Sequence, residues 1–336
     1  MDEKKFGNRD FREHYIPDKR VGYPPVFVWP VRPLAALKWL FAIPGYFLPW
    51  NSFYVALGLF AWFCLSPPLE NYAYPSLETV SLVFLRNAGL VAIYFGAFHV
   101  RLYIQRKQGI AFKFNPTWPQ TNAKKFMFKS QNVDNIILTF GSGVTIWTAL
   151  EIGLLYIAAN DFLTLISPIE QPIFFFIIIF TIHLWRDLHF YLVHRLIHWG
   201  PLYRVAHKVH HKNINPGPWS GLAMHPVEHI LYFSCAFLYL FFPFHPAFIV
   251  ITLVHAGLSP APGHAGFERV ALEDGRSVDL DSYAHYLHHK YFECNYADGI
   301  LPLDKWFGTF HDGSPEAQKK MRYRLKENSI GKTQEN

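Results

Sequence analysis

Histidines that recur at helical spacing are the residues of this chain best suited to chemistry. The chain has 336 residues and 18 histidines, 16 of them from His183 onward. Side chains three and four positions apart lie on one face of a helix, so each cluster aims two or three imidazoles in one direction. Neutral imidazole is a ligand for iron, zinc and copper. Four clusters have this spacing: His194 and His198; His207, His210 and His211; His225 and His229; and His285, His288 and His289.

The size of this set predicts two metal ions. Eight histidines, those of the first, second and last clusters, are more than one ion needs. For His225 and His229 a metal-binding role and a structural role remain open. The chain lacks the H-E-x-x-H motif of zinc proteases, and these clusters lack the Glu-x-x-His pairs of soluble di-iron bundles. Its three cysteines, Cys64, Cys235 and Cys294, lie far apart, which argues against a disulfide scaffold or a cysteine zinc site.

Four apolar stretches of membrane-spanning length must position these clusters. They run roughly over residues 39–65, 79–100, 136–159 and 171–194. A helix needs about 20 residues to cross a bilayer, and each stretch is long enough. The chain is 51% hydrophobic and only 17% charged, which is low for a soluble domain. Its net charge of +6 therefore points to an anionic membrane surface, and we predict no nucleic-acid partner.

The loops between these stretches predict their orientation. Residues 101–129 include seven Lys or Arg and no acid, whereas 66–78 and 160–171 each carry two acids and no base. By the positive-inside rule, the basic loop, the N-terminus and everything after the fourth span are cytosolic. The first 20 residues lack the features of a signal peptide, and we expect them to form a mobile cytosolic tail.

The apolar stretch 230–254 is interrupted at residues 241–246 and has two interpretations. A single crossing would place His225 and His285 on opposite sides of the membrane. A re-entrant hairpin of two half-length helices, meeting at residues 243–246, keeps them on one side. We favour the hairpin, because these histidines are expected to share a site.

The order of the motifs resembles the fatty acid hydroxylase/sterol desaturase superfamily. DLHFYLVHRLIH is followed by YRVAHKVHHKN, AMHPVEH and YAHYLHHKYFECNYADG, and PLDKWFGTF closes the series. The resemblance covers roughly residues 171–310. It implies an integral membrane di-iron enzyme that uses O₂ to hydroxylate or desaturate a lipid. It also implies the endoplasmic reticulum membrane in a eukaryote or the cytoplasmic membrane in a bacterium, with the active site on the cytosolic face.

The resemblance further implies which residues bind iron. The segment VHAGLSPAPGHAGFE offers His255 and His264, and at least one is expected to bind metal, with His255 slightly favoured. His189, His225 and His229 are further possible ligands. The residues that match the superfamily's ligand motifs are His194, His198, His207, His210, His211, His285, His288 and His289.

The same resemblance implies supporting roles for polar residues near these motifs. Asp187 lies where the superfamily often has an acid, and a carboxylate there would orient a ligand histidine. A charge at the end of a helix is the alternative interpretation of Asp187. Asn295, Asp298 and Asp304 match the closing segment and are expected to hold the last histidine helix in place.

Each turnover needs two electrons, which the resemblance implies come from NAD(P)H through a reductase and a cytochrome b5-type carrier. The chain has no G-x-G-x-x-G motif and no recognisable haem domain of that type, so we expect a separate carrier. The basic segments 101–129 and 319–326 either dock an acidic donor or anchor the protein to anionic lipid.

The favoured substrate is a sterol, because H-K-V-H-H-K and H-P-x-E resemble the sterol branch of the superfamily. A fatty acyl or sphingolipid hydroxylase is the second hypothesis. A metal transporter is a remote hypothesis, which would need ligands along the spans. The histidine clusters instead lie outside the apolar runs, and the first three runs contain only Arg86 and Glu151 as charged residues. A non-catalytic lipid-binding scaffold is the last hypothesis, and the intact histidine set argues against it.

We therefore predict an all-α polytopic membrane protein with four transmembrane helices, a re-entrant hairpin and a cytosolic histidine-rich cap. The predicted organisation is a cytosolic tail and lead-in over 1–38, and transmembrane helices over 39–194 with the basic loop 101–129. The di-iron domain covers 187–312 and includes the hairpin 230–254, and a cytosolic tail covers 313–336.

Overall fold

The computed structural model describes residues 2–334, with side chains for residues 2–326. Helices account for 59% of the chain, which confirms the predicted all-α class. The longer helices are α1 (Pro33–Phe41), α2 (Phe47–Leu65), α3 (Leu77–Ile104), α4 (Gln131–Ala159), α5 (Pro172–Ile197), α6 (Pro226–Leu240), α7 (Ala247–Gly263), α8 (Tyr283–Tyr291), α9 (Leu303–Trp306) and α10 (Pro315–Gln334).

Four of these helices, α2 to α5, are long and apolar enough to cross a bilayer. The predicted polytopic architecture is therefore confirmed, and the protein is an integral membrane protein. Local sequence signals set the helix starts. Ser76 and Ser130 cap α3 and α4 by accepting hydrogen bonds from backbone amides of Thr79 and Val133, and Pro172 occupies the first turn of α5.

The apolar stretch with two interpretations forms a hairpin of α6 and α7. The arms lie side by side, because the Tyr232 hydroxyl donates to the Ala256 carbonyl at 2.7 Å and Tyr239 pairs with Thr252 at 2.6 Å. The tip contacts the loop between α4 and α5, where the Ile166 amide donates to the Phe244 carbonyl at 2.9 Å. The hairpin thus runs along the bundle as far as the loop that joins two membrane-length helices.

Helix α7 lies at the centre of the bundle. Every residue from Ala247 to Leu258 is buried, and α2, α3, α4 and α5 all contact this segment. Two glycines permit this packing. A Cβ at Gly58 of α2 would lie 2.7 Å from the Ile251 backbone, and one at Gly257 would lie 2.2 Å from the Trp147 ring. The close approach therefore requires glycine at both positions.

Two small antiparallel sheets lie outside the helical bundle. Strands β1 (Gly7–Arg9) and β2 (Tyr15–Pro17) pair in the N-terminal segment, and β3 (Arg269–Ala271) pairs with β4 (Ser277–Asp279). The first sheet packs on the basic loop, since Tyr15 is 1% exposed and its ring meets Phe112 at 5.7 Å. The N-terminal segment is therefore a folded hairpin rather than the free tail that we expected, because its aromatic residues are buried against that loop.

Two charged residues within the spans, Arg86 and Glu151, belong to a closed polar network. The Arg86 guanidinium of α3 pairs with the Glu151 carboxylate of α4, and both side chains are buried. Glu151 also accepts from the Trp147 indole at 3.1 Å and from the Asn87 amide at 3.3 Å. Because each charged group has partners, the pair joins two helices without leaving an unpaired charge in an apolar region.

Replacing Glu151 with Ala should destabilise the fold by about 3–5 kcal/mol, because Arg86 would be left as an unpaired buried cation. Thermal denaturation of the purified protein in detergent measures this loss. The matched control is Arg86→Met combined with Glu151→Leu, which removes both charges and should recover much of the stability. A Glu151→Ala protein that denatures at the wild-type temperature would contradict this account of the pair.

Candidate metal centre

The histidine clusters are carried by one long helix, two single turns and one short helix. His194 lies in the last turn of α5, and His198 directly follows that helix. The turn Tyr203–His207 and the turn His210–Lys212 carry the second cluster. Helix α8 carries the last cluster and is followed by Phe292, whose φ of 67° ends the helix. These elements meet at one end of the bundle.

A first group brings together five histidines: His194, His198, His207, His211 and His288. Their ligand nitrogens all lie within 4.8 Å of one another. His198 Nε2 lies 3.0 Å from His207 Nε2 and 3.2 Å from His211 Nε2, and His288 Nε2 lies 3.1 Å from His211 Nε2. All but the half-buried His198 are buried.

A second group brings together four buried histidines: His210, His264, His285 and His289. His264 Nε2 lies 2.9 Å from His285 Nε2, 3.1 Å from His289 Nε2 and 3.3 Å from His210 Nε2. The two groups are adjacent, since the rings of His210 and His211 belong to different groups and their centroids are 5.8 Å apart. The arrangement therefore contains two candidate metal positions side by side.

The outer nitrogens of several of these rings are held by oxygen acceptors. Nδ1 of His194 lies 2.7 Å from the Tyr296 carbonyl, and Nδ1 of His288 lies 2.8 Å from the Cys294 carbonyl. Nδ1 of His264 lies 2.9 Å from the Pro260 carbonyl. A carbonyl only accepts, so Nδ1 carries the proton in each ring and Nε2 presents a lone pair.

Converging lone pairs fit a metal ion. The Nε2 atom of His264 is an acceptor, yet three other imidazole nitrogens lie within 3.3 Å of it, which is more than one lone pair can accept from. Imidazole nitrogens bind metal ions at about 2.0–2.1 Å, which separates neighbouring donors around one ion by about 3 Å. The donor set consists of nitrogen alone, which is typical of iron, copper or zinc.

Burial keeps these rings neutral, as metal ligands must be. It lowers the pKa of His210 to about 4. It lowers the pKa of His198 to about 2, with a further contribution from the neighbouring His194. Neutral pH therefore leaves both rings unprotonated and able to donate their lone pairs.

The structure places the two candidate ligands of the segment VHAGLSPAPGHAGFE in different surroundings. His264 lies in the second group, whereas His255 lies outside both groups. The His255 ring packs edge-on against Tyr54 at 4.8 Å and faces His183 at 4.5 Å, inside the helical bundle. The geometry therefore favours His264, in contrast to our slight preference for His255. Sequence spacing alone did not reveal that α7 ends between these two residues and turns His264 towards α8.

The three further candidates also lie outside both groups. His189 Nε2 lies 2.9 Å from the Ser234 hydroxyl. His225 caps α6 by accepting from the Val227 amide at 3.3 Å. His229 lies between the Ser142 hydroxyl at 2.8 Å and the Leu222 carbonyl at 3.1 Å. Each of these histidines therefore has a local hydrogen-bonding role.

The carboxylate that contacts a ligand histidine is Glu228 rather than Asp187. Glu228 Oε1 lies 2.7 Å from His207 Nδ1, and both side chains are buried. Asp187 instead accepts from the Ile300 amide at 2.6 Å and joins α5 to the closing segment. The sequence analysis missed this role of Glu228. Its position in HPVEH, three residues after the capping His225, was the available signal.

The closing segment holds α8 in place through its own polar residues. Asp304 accepts from the amides of Tyr296 at 2.9 Å and Ala297 at 2.7 Å. The Asn295 amide donates to the carbonyl of His311 at 2.9 Å. These contacts position the Tyr296 carbonyl that orients His194, so the segment affects the metal centre indirectly.

A narrow cavity lies between the metal centre and the hairpin. Histidines of both groups form one wall: His194, His207, His210, His264 and His285. Phe190, Val193 and Ile197 of α5 contribute an apolar wall. Arg186 and Asp298 also line this cavity and make it polar at one side. A small group bound there, such as a hydroxyl, would lie directly beside the candidate metal ligands.

The segment that carries these histidines is similar to known proteins. Residues 178–309 match the sequence profile of the fatty acid hydroxylase family. A Delta(7)-sterol 5(6)-desaturase of Gibberella zeae is 35% identical over 143 residues, which are 39% of this chain and 41% of the relative. The enzyme of the same name from Saccharomyces cerevisiae is 28% identical over 137 residues, which are 39% of this chain and 35% of the relative.

A third relative, the Delta(7)-sterol 5(6)-desaturase of Eremothecium gossypii, is 28% identical over 147 residues, 42% of this chain and 38% of the relative. The chain thus spans about two fifths of the length of these curated relatives. No solved structure was found to match it. The segment 178–309 contains all nine histidines of the two groups, and in this segment the chain is similar to the fatty acid hydroxylase family and to the sterol desaturases named above.

Proposed function

We propose that this protein is an O₂-dependent di-iron oxidoreductase that desaturates or hydroxylates a membrane lipid, with a sterol as the favoured substrate. The observation that carries the proposal is the pair of adjacent histidine groups, whose nitrogens converge at about the spacing of metal ligands. The names of the relatives favour a sterol and introduction of a double bond.

When bound, two iron ions would supply the chemistry by which O₂ oxidises an unactivated C–H bond. His194, His198, His207, His211 and His288 would hold one ion, and His210, His264, His285 and His289 the other. The protein's own contribution is to orient the rings and to exclude water. Glu228 holds the proton on Nδ1 of His207, and the Tyr296 and Cys294 carbonyls do the same for His194 and His288. Phe190, Val193 and Ile197 of α5 give the cavity an apolar wall, which disfavours water beside the centre.

We propose that residues 187–312 form the catalytic unit and that it faces the cytosol, in the endoplasmic reticulum membrane of a eukaryote. The basic loop 101–129 supports this orientation because it packs on the histidine-bearing segment. The Lys125 ammonium donates to the Lys212 carbonyl at 2.8 Å, and Lys113 contacts the Asn215 side chain at 3.3 Å. The positive-inside rule places that loop in the cytosol, and the histidines with it.

We further propose that electrons from NAD(P)H reach the centre through a reductase and a separate cytochrome b5-type carrier. The exposed basic residues of the same face, Lys107, Lys124 and Lys129 among them, support docking of an acidic donor. The same residues would also contact anionic lipid.

Expression in a host that lacks its own Delta(7)-sterol 5(6)-desaturase tests this function. The wild-type chain should produce a sterol that is two hydrogen atoms lighter than the accumulated precursor. His288→Ala should abolish the product at equal protein level, because it removes a ligand of the first group. Lipid profiling by mass spectrometry measures both. Unchanged sterols together with an acyl or sphingoid species that gains one oxygen atom would overturn the sterol assignment in favour of a hydroxylase.

The iron content of two variants tests the metal centre directly. His264→Ala should lower bound iron from two ions per chain towards one, because His264 lies within 3.3 Å of three other ligand nitrogens. His255→Ala is the matched control, since it removes a buried histidine outside both groups, and it should keep both ions. Metal analysis of the purified proteins gives the comparison. Loss of iron in the His255 variant alone would reverse the assignment.

Replacing Glu228 with Ala should weaken iron binding by about 10–100-fold, because His207 would lose the acceptor that fixes its tautomer. Titration of the purified apoprotein with ferrous iron measures the change. Asp187→Asn is the control, because Asp187 contacts the Ile300 amide and no ligand histidine. Equal iron affinity in wild type and Glu228→Ala would remove Glu228 from the centre.

A further inference from the structure

Arg186 is a buried cation that lies beside the candidate metal centre. It is 4% exposed and lies on α5, about two turns before His194. Its guanidinium donates to the Tyr232 hydroxyl and stacks over the Phe190 ring at 5.1 Å. Among residues 2–326, no carboxylate lies within 4.0 Å of it. A charge buried in this way calls for an additional acceptor.

This arrangement differs from that of the other buried arginine of the spans. Arg86 contacts the Glu151 carboxylate directly and belongs to a closed network. Arg186 has only the neutral Tyr232 hydroxyl as its hydrogen-bond partner within the described side chains, and it lines the cavity. Its remaining N–H groups are therefore available to a molecule in that cavity.

The cavity also offers a hydrogen-bond acceptor. Asp298 lines it, and Asp298 Oδ1 lies 3.8 Å from His285 Nδ1, which is too far for a hydrogen bond. The Tyr232 hydroxyl already donates to the Ala256 carbonyl at 2.7 Å, so it accepts from Arg186. The cavity lining thus includes a donor at Arg186 and an acceptor at Asp298.

We propose that Arg186 and Asp298 bind the hydroxyl group of a neutral lipid alcohol and so hold its carbon skeleton against the metal centre. A hydroxyl accepts from the guanidinium and donates to the carboxylate, which satisfies both groups. A lipid acid fits less well, because its carboxylate would meet those of Asp298 and Glu228 in the same cavity. This inference rests on the proposed function and narrows its substrate class to alcohols.

The hydroxyl-binding pair Arg186 and Asp298, called the anchor from here on, would also select the carbon that is oxidised. The Phe190 ring lies 5.1 Å from the Arg186 guanidinium and 4.9 Å from the His194 ring. One aromatic ring therefore separates the anchor from a ligand imidazole. A hydroxyl held at Arg186 would place carbons a few bonds from it beside the centre. Binding of one part of the substrate would thus position another part for reaction.

Binding of matched lipids to the purified protein in lipid nanodiscs tests the anchor. The probes are a Delta(7)-sterol, the same sterol without its hydroxyl group, and a free fatty acid, each competing with a fluorescent sterol. Wild type should bind the alcohol about 10–100-fold more tightly than its deoxy analogue, as expected for a hydrogen bond to a charged group. Arg186→Met should lose most of this preference, because Asp298 alone would remain to bind the hydroxyl, and Tyr232→Phe should show a smaller preference than wild type. Arg322→Met, at an exposed position, is the control and should keep the wild-type preference.

The outcomes separate this inference from the proposed function. Equal binding of alcohol and deoxy analogue by wild type would overturn the anchor, whether or not the sterol is oxidised. An unchanged preference for the alcohol in Arg186→Met, or a preference of wild type for the fatty acid, would overturn it too. A hydroxyl preference that Arg186→Met removes, without any sterol product in the expression test, would support the anchor and reject the oxidase function alone.

Discussion

Imidazole nitrogens that converge at about 3 Å are the constraint on which the rest of this structure depends. Wherever two of them present lone pairs, they repel each other unless a cation lies between them, so the rings must be held in place from outside. Backbone carbonyls hold His194, His264 and His288 through their Nδ1 atoms, and Glu228 holds His207. The centre is thus supported by three separate parts of the chain, and its geometry depends on how these parts are packed.

The α6–α7 hairpin connects this centre to the membrane bundle. Its first arm begins next to Glu228 and its second arm ends just before His264, while its tip contacts the loop between α4 and α5. Helix α7 is buried on all sides, so a shift of the surrounding spans would be transmitted to the segment that carries His264. The bundle therefore positions two of the groups that build the site, Glu228 and His264.

Two buried arginines show how polar groups are used in the apolar part of the protein. Arg86 is neutralised within the fold by Glu151, and the pair joins two helices. Arg186 lacks such a carboxylate and faces the cavity instead. Because an unpaired buried charge is costly, the first arrangement is understandable as structure, whereas the second points to a ligand. Both arginines lie in apolar helices, so they differ in their hydrogen-bond partners and in whether they line the cavity.

The sequence by itself determined the four spans, the all-α class and most of the histidine set, because hydropathy and i, i+3, i+4 spacing are local properties of the chain. Only the tertiary structure decided how the histidines divide into two groups, and that His264 rather than His255 joins them. It also decided that Glu228 contacts His207 while Asp187 contacts the closing segment. These choices depend on where helices end and which of them pack together, and contacts between residues far apart in the chain leave no periodic signal in the sequence.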